Sequence, residues 1–363
     1  MACGAPRIHN GRLLPPLATR GPHIINAETG APVRLVGVNR SGLEYAEPSS
    51  STGFLDAAGI TRDEITEITR TWNARIIRLP FNQDFAINGR VGHSADAYLA
   101  AIDTVIRWAA EQGAYTLLDL QWLDADRMFG TNSDLSINRV PPLPDAQSIR
   151  LWSALAERYR HEPAVLFDLF NEPHSPLPDD PHESFTLAPD GTPIPLRLQH
   201  VGMREWQPWA RHLIAAIREQ HPSALIFVPG VHWAYDLRGM PLLDPNNQPL
   251  PNIVYSTHVY PWSRTHRLFL GTWESEWDRA FGHLAIRVPT FAGEWGGRVD
   301  DLEWGKRLVR YFETRGMGWC AWSWADAPCL VAACHERDYT PTPFGAVVRD
   351  ALLRSTASGD PVI

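Results

Sequence analysis

Cysteine is scarce in this chain of 363 residues, which contains only Cys3, Cys320, Cys329 and Cys334. Four cysteines are too few for a scaffold built on disulfides, and none of them shows the paired CxxC spacing of a metal site. Cys329 and Cys334 could close a small loop if oxidised, and two free buried thiols are an equal alternative. The fold is therefore expected to depend on its hydrophobic core rather than on covalent cross-links.

Long apolar runs and an excess of positive charge are also missing. No stretch approaches the roughly 18 consecutive apolar residues that cross a bilayer, so we expect a soluble protein. The formal net charge of -8 argues against nucleic acid and against an anionic membrane as partners, because both favour a basic surface. The start of the chain, MACGAPRIHNGRLLPP, has neither a charged n-region nor an apolar h-region, so no secretory signal is predicted in it.

Tryptophan, by contrast, is abundant, with 15 residues. This is more than core packing usually requires, and an indole face suits flat ligands that are rich in hydroxyl groups. We expect about half of these tryptophans to lie in the core or between helices. A neutral, hydroxyl-bearing ligand fits both this composition and the negative charge.

Apolar runs alternate with amphipathic helical stretches along the chain. The runs that read as buried strands are 34–39, 75–81, 115–121, 165–171, 225–229, 253–259, 289–294 and 318–324. The stretches with helical periodicity are 62–72, 95–112, 146–160, 203–220, 273–286, 300–315 and 343–354, whereas 234–252 shows no convincing helix. This alternation predicts an α/β fold, a closed parallel (β/α)8 TIM barrel.

No linker, repeat or change of composition divides the chain. We expect one catalytic domain over 22–355, between a Pro-rich N-terminal tail, 1–21, and a short C-terminal tail, 356–363. The segment 23–35 predicts a β-hairpin that turns at 28–30 and covers the bottom of the barrel. The Pro-rich loop 174–202 is expected to shape the cleft, with a disordered insertion as the alternative.

Two short strings each end an apolar strand with a glutamate. FDLFNEP contains Asn171 and Glu172, and FAGEWGG contains Glu294. A carboxylate at this position is either ion-paired or functional, since burial of an unpaired charge is costly. The carboxyl ends of barrel strands meet at one mouth, and two carboxyl groups about 5 Å apart are what a retaining glycosidase requires. Two structural salt bridges are the alternative.

Six strings in register extend from Val36 to Leu352: VGVNRSGLEY, RIIRLPFN, AVLFDLFNEPH, YSTHVYPW, FAGEWGG and GWCAWSWAD. Together they resemble glycoside hydrolase family 5, whose members carry two glutamates at the ends of the fourth and seventh strands. The resemblance implies that Glu172 is the general acid/base and Glu294 the nucleophile. It also implies roles for residues around the glutamates. Arg78 keeps Glu294 ionised, Tyr260 orients this nucleophile, and His258 lies near the acid/base. Asn171 binds the sugar 2-hydroxyl, and Trp322, or failing it Trp324, supports the sugar at the cleavage point.

The third strand departs from the family pattern. It usually ends in Asp-x-His, but here Asp119 is followed by Gln121, which can hydrogen-bond a hydroxyl and cannot carry a proton. We therefore expect Gln121 to bind substrate and to alter the pH profile and the preferred sugar.

Other aromatic residues stand at or near strand ends. We expect two or three of Trp122, Trp233, Trp262 and Trp295 to line sugar subsites along an open cleft, whereas Trp152, Trp206, Trp277 and Trp304 lie on helices and should pack against the barrel.

The sequence thus predicts a retaining glycosidase that cuts internal β-1,4 links of a glucan. A β-mannanase is the second choice, followed by an exo-acting β-glucosidase, and a non-catalytic carbohydrate-binding barrel is the alternative from another class. The expected partner is a β-linked oligo- or polysaccharide, with no metal, no organic cofactor, no nucleic acid and no membrane. A monomer is expected, and an enzyme that degrades a polymer would normally be exported.

Overall fold

Eight parallel strands form a closed barrel, as the sequence predicts. The computed structural model describes residues 8–9, 12–125, 140–175, 186–187, 193–194, 201–263, 265, 271–297 and 301–357. The barrel strands are β1 (Val36–Asn39), β2 (Ile76–Asn82), β3 (Tyr115–Trp122), β4 (Val165–Asp168), β5 (Ile226–Pro229), β6 (Ile253–Val259), β7 (Thr290–Trp295) and β8 (Gly318–Ala321). Each strand pairs with the next one along the chain, and β8 pairs with β1 to close the ring.

Helices follow most of the strands. They are α1 (Phe54–Ala57), α2 (Arg62–Thr66), α3 (Gln83–Asn88), α4 (Ala95–Glu111), α5 (Ala146–Tyr159), α6 (Met203–Gln220), α7 (Trp273–Trp277), α8 (His283–Ala285), α9 (Leu302–Thr314) and α10 (Pro343–Ala357). One π-helical turn, Glu67–Thr71, extends α2, and another, Asp278–Gly282, joins α7 to α8. Residues 234–252 consist of bridges and turns, so the absence of a helix there is confirmed.

Short elements complete the described chain. Two 3-10 turns are Leu43–Tyr45 and Cys334–Glu336. Four small antiparallel pairings are Ile8–His9 with Arg12–Leu13, Leu17–Arg20 with His23–Asn26, Thr186–Leu187 with Pro193–Ile194, and Val331–Ala333 with Asp338–Pro341. Apart from 174–175, 186–187, 193–194 and 201–202, the predicted cleft-shaping loop lies outside the described residues, as does 358–363 of the predicted C-terminal tail.

The helices pack on the barrel through an apolar shell. The four tryptophans predicted to pack there, Trp152, Trp206, Trp277 and Trp304, are all buried. Two of them anchor loops as well, because the indole of Trp152 donates to Leu169 O and that of Trp206 donates to Pro229 O. Within the described residues, we find no helix with the length and apolar character of a membrane span.

A hairpin closes the bottom of the barrel, and its extent corrects the prediction. The turn expected at 28–30 is present, but the strand His23–Asn26 also pairs with Leu17–Arg20, which was assigned to the tail. The prolines at positions 15, 16 and 22 favour an irregular segment, which is why no strand was predicted here. Leu17 and Ile24 pack on the lower interior of the barrel, and Thr19 N donates to Asn252 Oδ1.

The barrel interior changes from apolar to polar toward the carboxyl ends of the strands. Below, one apolar cluster contains Leu117, Leu166, Phe227, Val254 and Phe291. Two residues further along β3 and β4, the inward positions are held by Asp119 and Asp168. Because inward-facing side chains recur at every second residue of a strand, these charged groups lie directly above the apolar cluster.

A β-bulge in β7 sets the direction of its last side chains. The register against β6 shifts between Thr257 and His258, so that Thr257 pairs with Ala292 but His258 pairs with Glu294. Gly293 is the extra residue, and the shift turns Glu294 into the barrel where strict alternation would have pointed it outward. A side chain at Gly293 would meet Ser256 Oγ at 2.5 Å, so glycine is required by the close approach.

Candidate active site

Two glutamates face each other at the mouth of the barrel. Glu172 follows β4 by four residues, and Glu294 lies on β7. One carboxylate oxygen of each residue, together with a ring nitrogen of His258, lies within 4.8 Å of the others. The spacing matches the separation of about 5 Å between the two carboxyl groups of retaining glycosidases.

The two carboxyl groups have different surroundings. Burial and the neighbouring charge of Glu294 raise the pKa of Glu172 well above its ordinary value. Burial also raises the pKa of Glu294, but the guanidinium of Arg78 and the hydroxyl of Tyr260 both oppose the rise. Of the two carboxyl groups, Glu172 is therefore the more readily protonated.

His258 near the end of β6 and Tyr260 directly after it contact the two glutamates. His258 Nδ1 lies 2.9 Å from Glu172 Oε1 and 3.6 Å from Glu294 Oε2. Burial and the charge of Arg78 lower the pKa of His258 well below its ordinary value, so its ring is neutral. Tyr260 donates its hydroxyl to Glu294 Oε2 at 2.7 Å.

Arg78 on β2 lies below Glu294 and is completely buried. Its Nη1 donates to Glu294 Oε1 at 2.8 Å and to Asn39 Oδ1 at 3.0 Å. Its Nη2 donates to Asn171 Oδ1 at 3.1 Å. The predicted cluster of Arg78, Asn171 and the two glutamates is thus brought together at one site.

Three members of this cluster were not singled out as site residues from the sequence. Asn39 holds Arg78 and donates its own amide to Gly293 O at 3.0 Å. Asp168 accepts from Arg78 Nε at 2.8 Å, and Asp119 Oδ1 lies 2.9 Å from Arg78 Nη2. The available signal was an acidic residue at an inward position of a strand that is otherwise apolar, as in YTLLDLQW and VLFD.

Gln121 and Trp322 lie at the carboxyl ends of two barrel strands, β3 and β8. Gln121 is 7% exposed, and no donor within the described residues reaches its Oε1. Trp322 is half-buried beyond the end of β8, with its amide donating to Trp295 O at 2.8 Å. The expectation that these two side chains contact substrate stays a prediction.

The aromatic residues predicted to line subsites divide into two groups. Trp122 and Trp233 are half-buried, and Trp262 is 65% exposed and stacks on Tyr260 with ring centroids 4.9 Å apart. The expectation for Trp295 is wrong, because this residue is fully buried.

The bulge in β7 explains the burial of Trp295. It turns Glu294 inward and Trp295 outward, where the indole packs on Trp319 and Phe344. The fallback residue Trp324 is likewise fully buried, against Trp72.

Trp233 is held beside the glutamate segment by an unusual backbone. His232, Trp233 and Ala234 all have positive φ, between 57° and 60°, which costs about 1–3 kcal/mol for each such residue. The indole stacks on the His174 ring at 3.7 Å, and the Trp233 amide donates to Pro173 O at 3.1 Å. These contacts join the loop after β5 to the chain immediately following Glu172.

The described cysteines, Cys320, Cys329 and Cys334, are free. Cys334 Sγ donates to the buried carboxylate of Glu64 at 2.7 Å, and Glu64 in turn is paired with Arg40. The loop closure considered for Cys329 and Cys334 is therefore not formed, and Cys334 is part of a buried polar cluster.

Comparison with known proteins gives a consistent family. A family profile described as Cellulase (glycosyl hydrolase family 5) matches residues 28–328. An endoglucanase of Paenibacillus polymyxa is 24% identical over 345 residues, covering 84% of this chain and 78% of the relative. Endoglucanase N of Pectobacterium atrosepticum is 22% identical, and there the match covers 88% of this chain but 57% of the relative.

Solved structures show the same barrel. A β-glucanase of Saccharophagus degradans in complex with cellotetraose superposes with a TM-score of 0.69, 21% identity and 98% coverage of both chains. The catalytic domain of an endoglucanase of Thermobifida fusca gives a TM-score of 0.64 and 18% identity, with 94% of this chain and 98% of that one covered. At these identities the likeness shows the fold alone.

Proposed function

Since the chain belongs to the cellulase family, glycosyl hydrolase family 5, and is therefore a glycoside hydrolase, we propose that it cuts internal β-1,4 links of a glucan with retention of configuration. Glu172 is the acid/base and Glu294 the nucleophile. The observation that carries the proposal is the approach of these two carboxylates within 4.8 Å, with Glu294 alone hydrogen-bonded by Arg78 and Tyr260. We further propose that 22–355, together with the hairpin strand that precedes it, is the catalytic unit.

In the first step, the Glu294 carboxylate attacks the anomeric carbon while Glu172 transfers its proton to the departing glycosidic oxygen. The carbon–oxygen bond to the leaving sugar breaks, and an ester between Glu294 and the retained sugar forms. In the second step, Glu172 removes a proton from water, the water oxygen attacks the anomeric carbon, and the ester bond breaks. Both glutamates return to their starting state.

The supporting residues act on charge and orientation. Arg78 and Tyr260 keep Glu294 ionised and aligned through hydrogen bonds of 2.8 Å and 2.7 Å. The amide oxygen of Asn171 accepts a hydrogen bond from Arg78, which leaves the NH2 group of Asn171 to donate to the sugar 2-hydroxyl. This contact strengthens as positive charge develops at the anomeric carbon. His258, neutral and 2.9 Å from Glu172, holds the acid/base in place.

The glucan preference is supported by the relatives named as endoglucanases and by the cellotetraose bound to one structural neighbour. Aromatic residues at the ends of three barrel strands or in the loops after them, Trp122, Trp233 and Trp262, together with Trp322, suit an extended row of pyranose rings. Gln121 at the end of β3 is expected to hydrogen-bond a sugar hydroxyl through its amide group.

The test is the release of reducing ends from carboxymethyl cellulose, barley β-glucan, glucomannan and galactomannan by the wild type, Glu172→Gln and Glu294→Ala. We expect hydrolysis of the glucans, loss of it in both variants, and a β-anomer as the first product by NMR. On aryl glycosides whose leaving group needs no proton, Glu172→Gln should still release about one equivalent of that group in a burst, whereas turnover stays slow because the second step has lost its base.

Other outcomes would redirect the proposal. Cleavage of the mannans alone would make the enzyme a mannanase with the same mechanism. Activity limited to short aryl glycosides would indicate an exo-acting β-glucosidase. Glycan binding without any hydrolysis would favour a carbohydrate-binding barrel.

A further inference from the structure

One guanidinium forms ion pairs with three carboxylates in the interior of this barrel. Arg78 contacts Glu294 at 2.8 Å, Asp168 at 2.8 Å and Asp119 at 2.9 Å. All four side chains are at most 5% exposed, so water screens none of these charges appreciably. The mechanism proposed above uses Glu294 but assigns no task to the other two carboxyl groups.

The contacts fix the guanidinium from every side. Nε donates to Asp168 Oδ2, Nη1 is shared by Glu294 and Asn39, and Nη2 is shared by Asn171 and Asp119. Four hydrogen bonds and the ion pair with Asp119 therefore hold the planar group, and rotation about a side-chain bond of Arg78 would break several contacts at once. The orientation of the Nη1–Glu294 bond thus depends on the two aspartates.

We propose, on the basis of the function proposed above, that Asp119 and Asp168 are positioning residues for the nucleophile, acting through Arg78. They aim one N–H of the guanidinium at Glu294, and their negative charge offsets part of its positive charge. Arg78 therefore keeps Glu294 ionised without binding its electron pairs so tightly that attack on the anomeric carbon is slowed.

The charge balance supports a role beyond packing. A single arginine would suffice as a partner for Glu294, and burial of two further carboxylates on it is costly unless they do something for the site. Burial raises the pKa of both Asp119 and Asp168, that of Asp168 to about 6, while Arg78 opposes the rise. The cluster therefore takes up protons jointly as the pH falls.

Several other titratable groups face this cluster and stay unchanged in the test. They are Glu44 in the loop after β1, Glu172 after β4, His258 and Tyr260 at the end of β6, and Cys320 on β8. Their contribution is common to the wild type and to the variants, so a difference in pH profile reports the aspartate that was changed.

The experiment compares the pH dependence of kcat/KM for the wild type, Asp168→Asn and Asp119→Asn on a soluble β-glucan. Asparagine keeps the shape and an acceptor oxygen but removes the charge. With one negative neighbour fewer, Glu294 holds its ionised form to lower pH, so the acid limb should move down by about one pH unit. The plateau kcat should fall because the more stabilised carboxylate is a weaker nucleophile, with KM little changed.

Asp103→Asn is the control, because Asp103 also pairs with an arginine, Arg158, but does so on the outer helices, partly exposed and away from the site. It should leave the acid limb in place. If Asp168→Asn does not fold, Asp119→Asn decides by the same criterion.

Three results would overturn this inference, and the last of them would also overturn the proposed function. An active, folded aspartate variant whose acid limb coincides with that of the wild type would overturn it, even if the variant were less stable, since a purely structural role predicts that pattern. An upward shift would overturn it as well. Failure of the wild type to hydrolyse any glycan would overturn the proposed function and this inference together.

Discussion

Removal of the Tyr260 hydroxyl should move the pH profile in the direction opposite to that expected for the aspartates. Tyr260→Phe deletes the bond to Glu294 Oε2, which is 2.7 Å long and lies in a buried site. A hydrogen bond to a charged group contributes about 1.5–3 kcal/mol, and one pKa unit corresponds to about 1.4 kcal/mol. Because the lost donor favours the ionised form, the pKa of Glu294 rises, and the acid limb should move up by about one to two pH units.

The phenyl ring of the variant keeps the packing that Tyr260 makes. It can still stack on Trp262, so the fold and the entrance of the cleft should be preserved. The effect on activity should therefore be small at pH values well above the acid limb and large at pH values near it.

The assay is kcat/KM on a soluble β-glucan across the pH range, since this ratio reports ionisations of the free enzyme. Tyr311→Phe is the matched control, because Tyr311 donates to Asp278 at 2.6 Å outside the barrel interior. An acid limb that stays in place in Tyr260→Phe, or one that moves to lower pH, would refute the assignment of this hydroxyl as a stabiliser of ionised Glu294.

Three further predictions concern stability and shape. Gly293→Ala places a methyl group 2.5 Å from Ser256 Oγ, and overpacking of this kind should cost about 1–3 kcal/mol in the free energy of unfolding and lower kcat; equal melting temperatures would contradict it. Arg78→Met leaves three buried carboxylates without a cation and should cost about 3–5 kcal/mol by chemical denaturation, and a loss below about 1 kcal/mol would show that the cluster is not held as described. Burial lowers the pKa of His174 from 6.5 to about 4, so between these pH values the unfolded chain binds a proton that the folded protein does not. Stability should therefore fall by about 1.4 kcal/mol per unit as the pH drops through this window, and His174→Asn should show a shallower slope in parallel denaturation series; identical slopes would refute the assignment.

The fold was accessible from the sequence because its signals are local. Each barrel strand is a short apolar run and each long helix has regular amphipathic periodicity, so the order of elements follows directly. The hairpin strand Leu17–Arg20 was assigned to the tail because flanking prolines conceal a pairing that only the packing against the barrel floor stabilises.

The candidate site was accessible in part. Glu172 and Glu294 stand out as carboxylates at strand ends, but alternation along β7 cannot reveal that a bulge at Gly293 reverses the last positions. That single extra residue is the reason why Trp295 was expected in the cleft and lies in the core. Asp119 and Asp168 carried a visible signal, acidic residues within apolar strands, but their common partner is set by tertiary structure.

The stacked pair of His174 and Trp233 has a consequence for local opening of the cleft. The two residues lie 59 positions apart in the chain, yet the Trp233 amide is bonded to the carbonyl of Pro173, next to Glu172. Hydrogen exchange at that amide requires the bond to break, so it reports separation of the acid/base segment from the loop after β5. We therefore expect the two segments to open together, so that a sugar bound on Trp233, as proposed above, would also restrict the motion of Glu172.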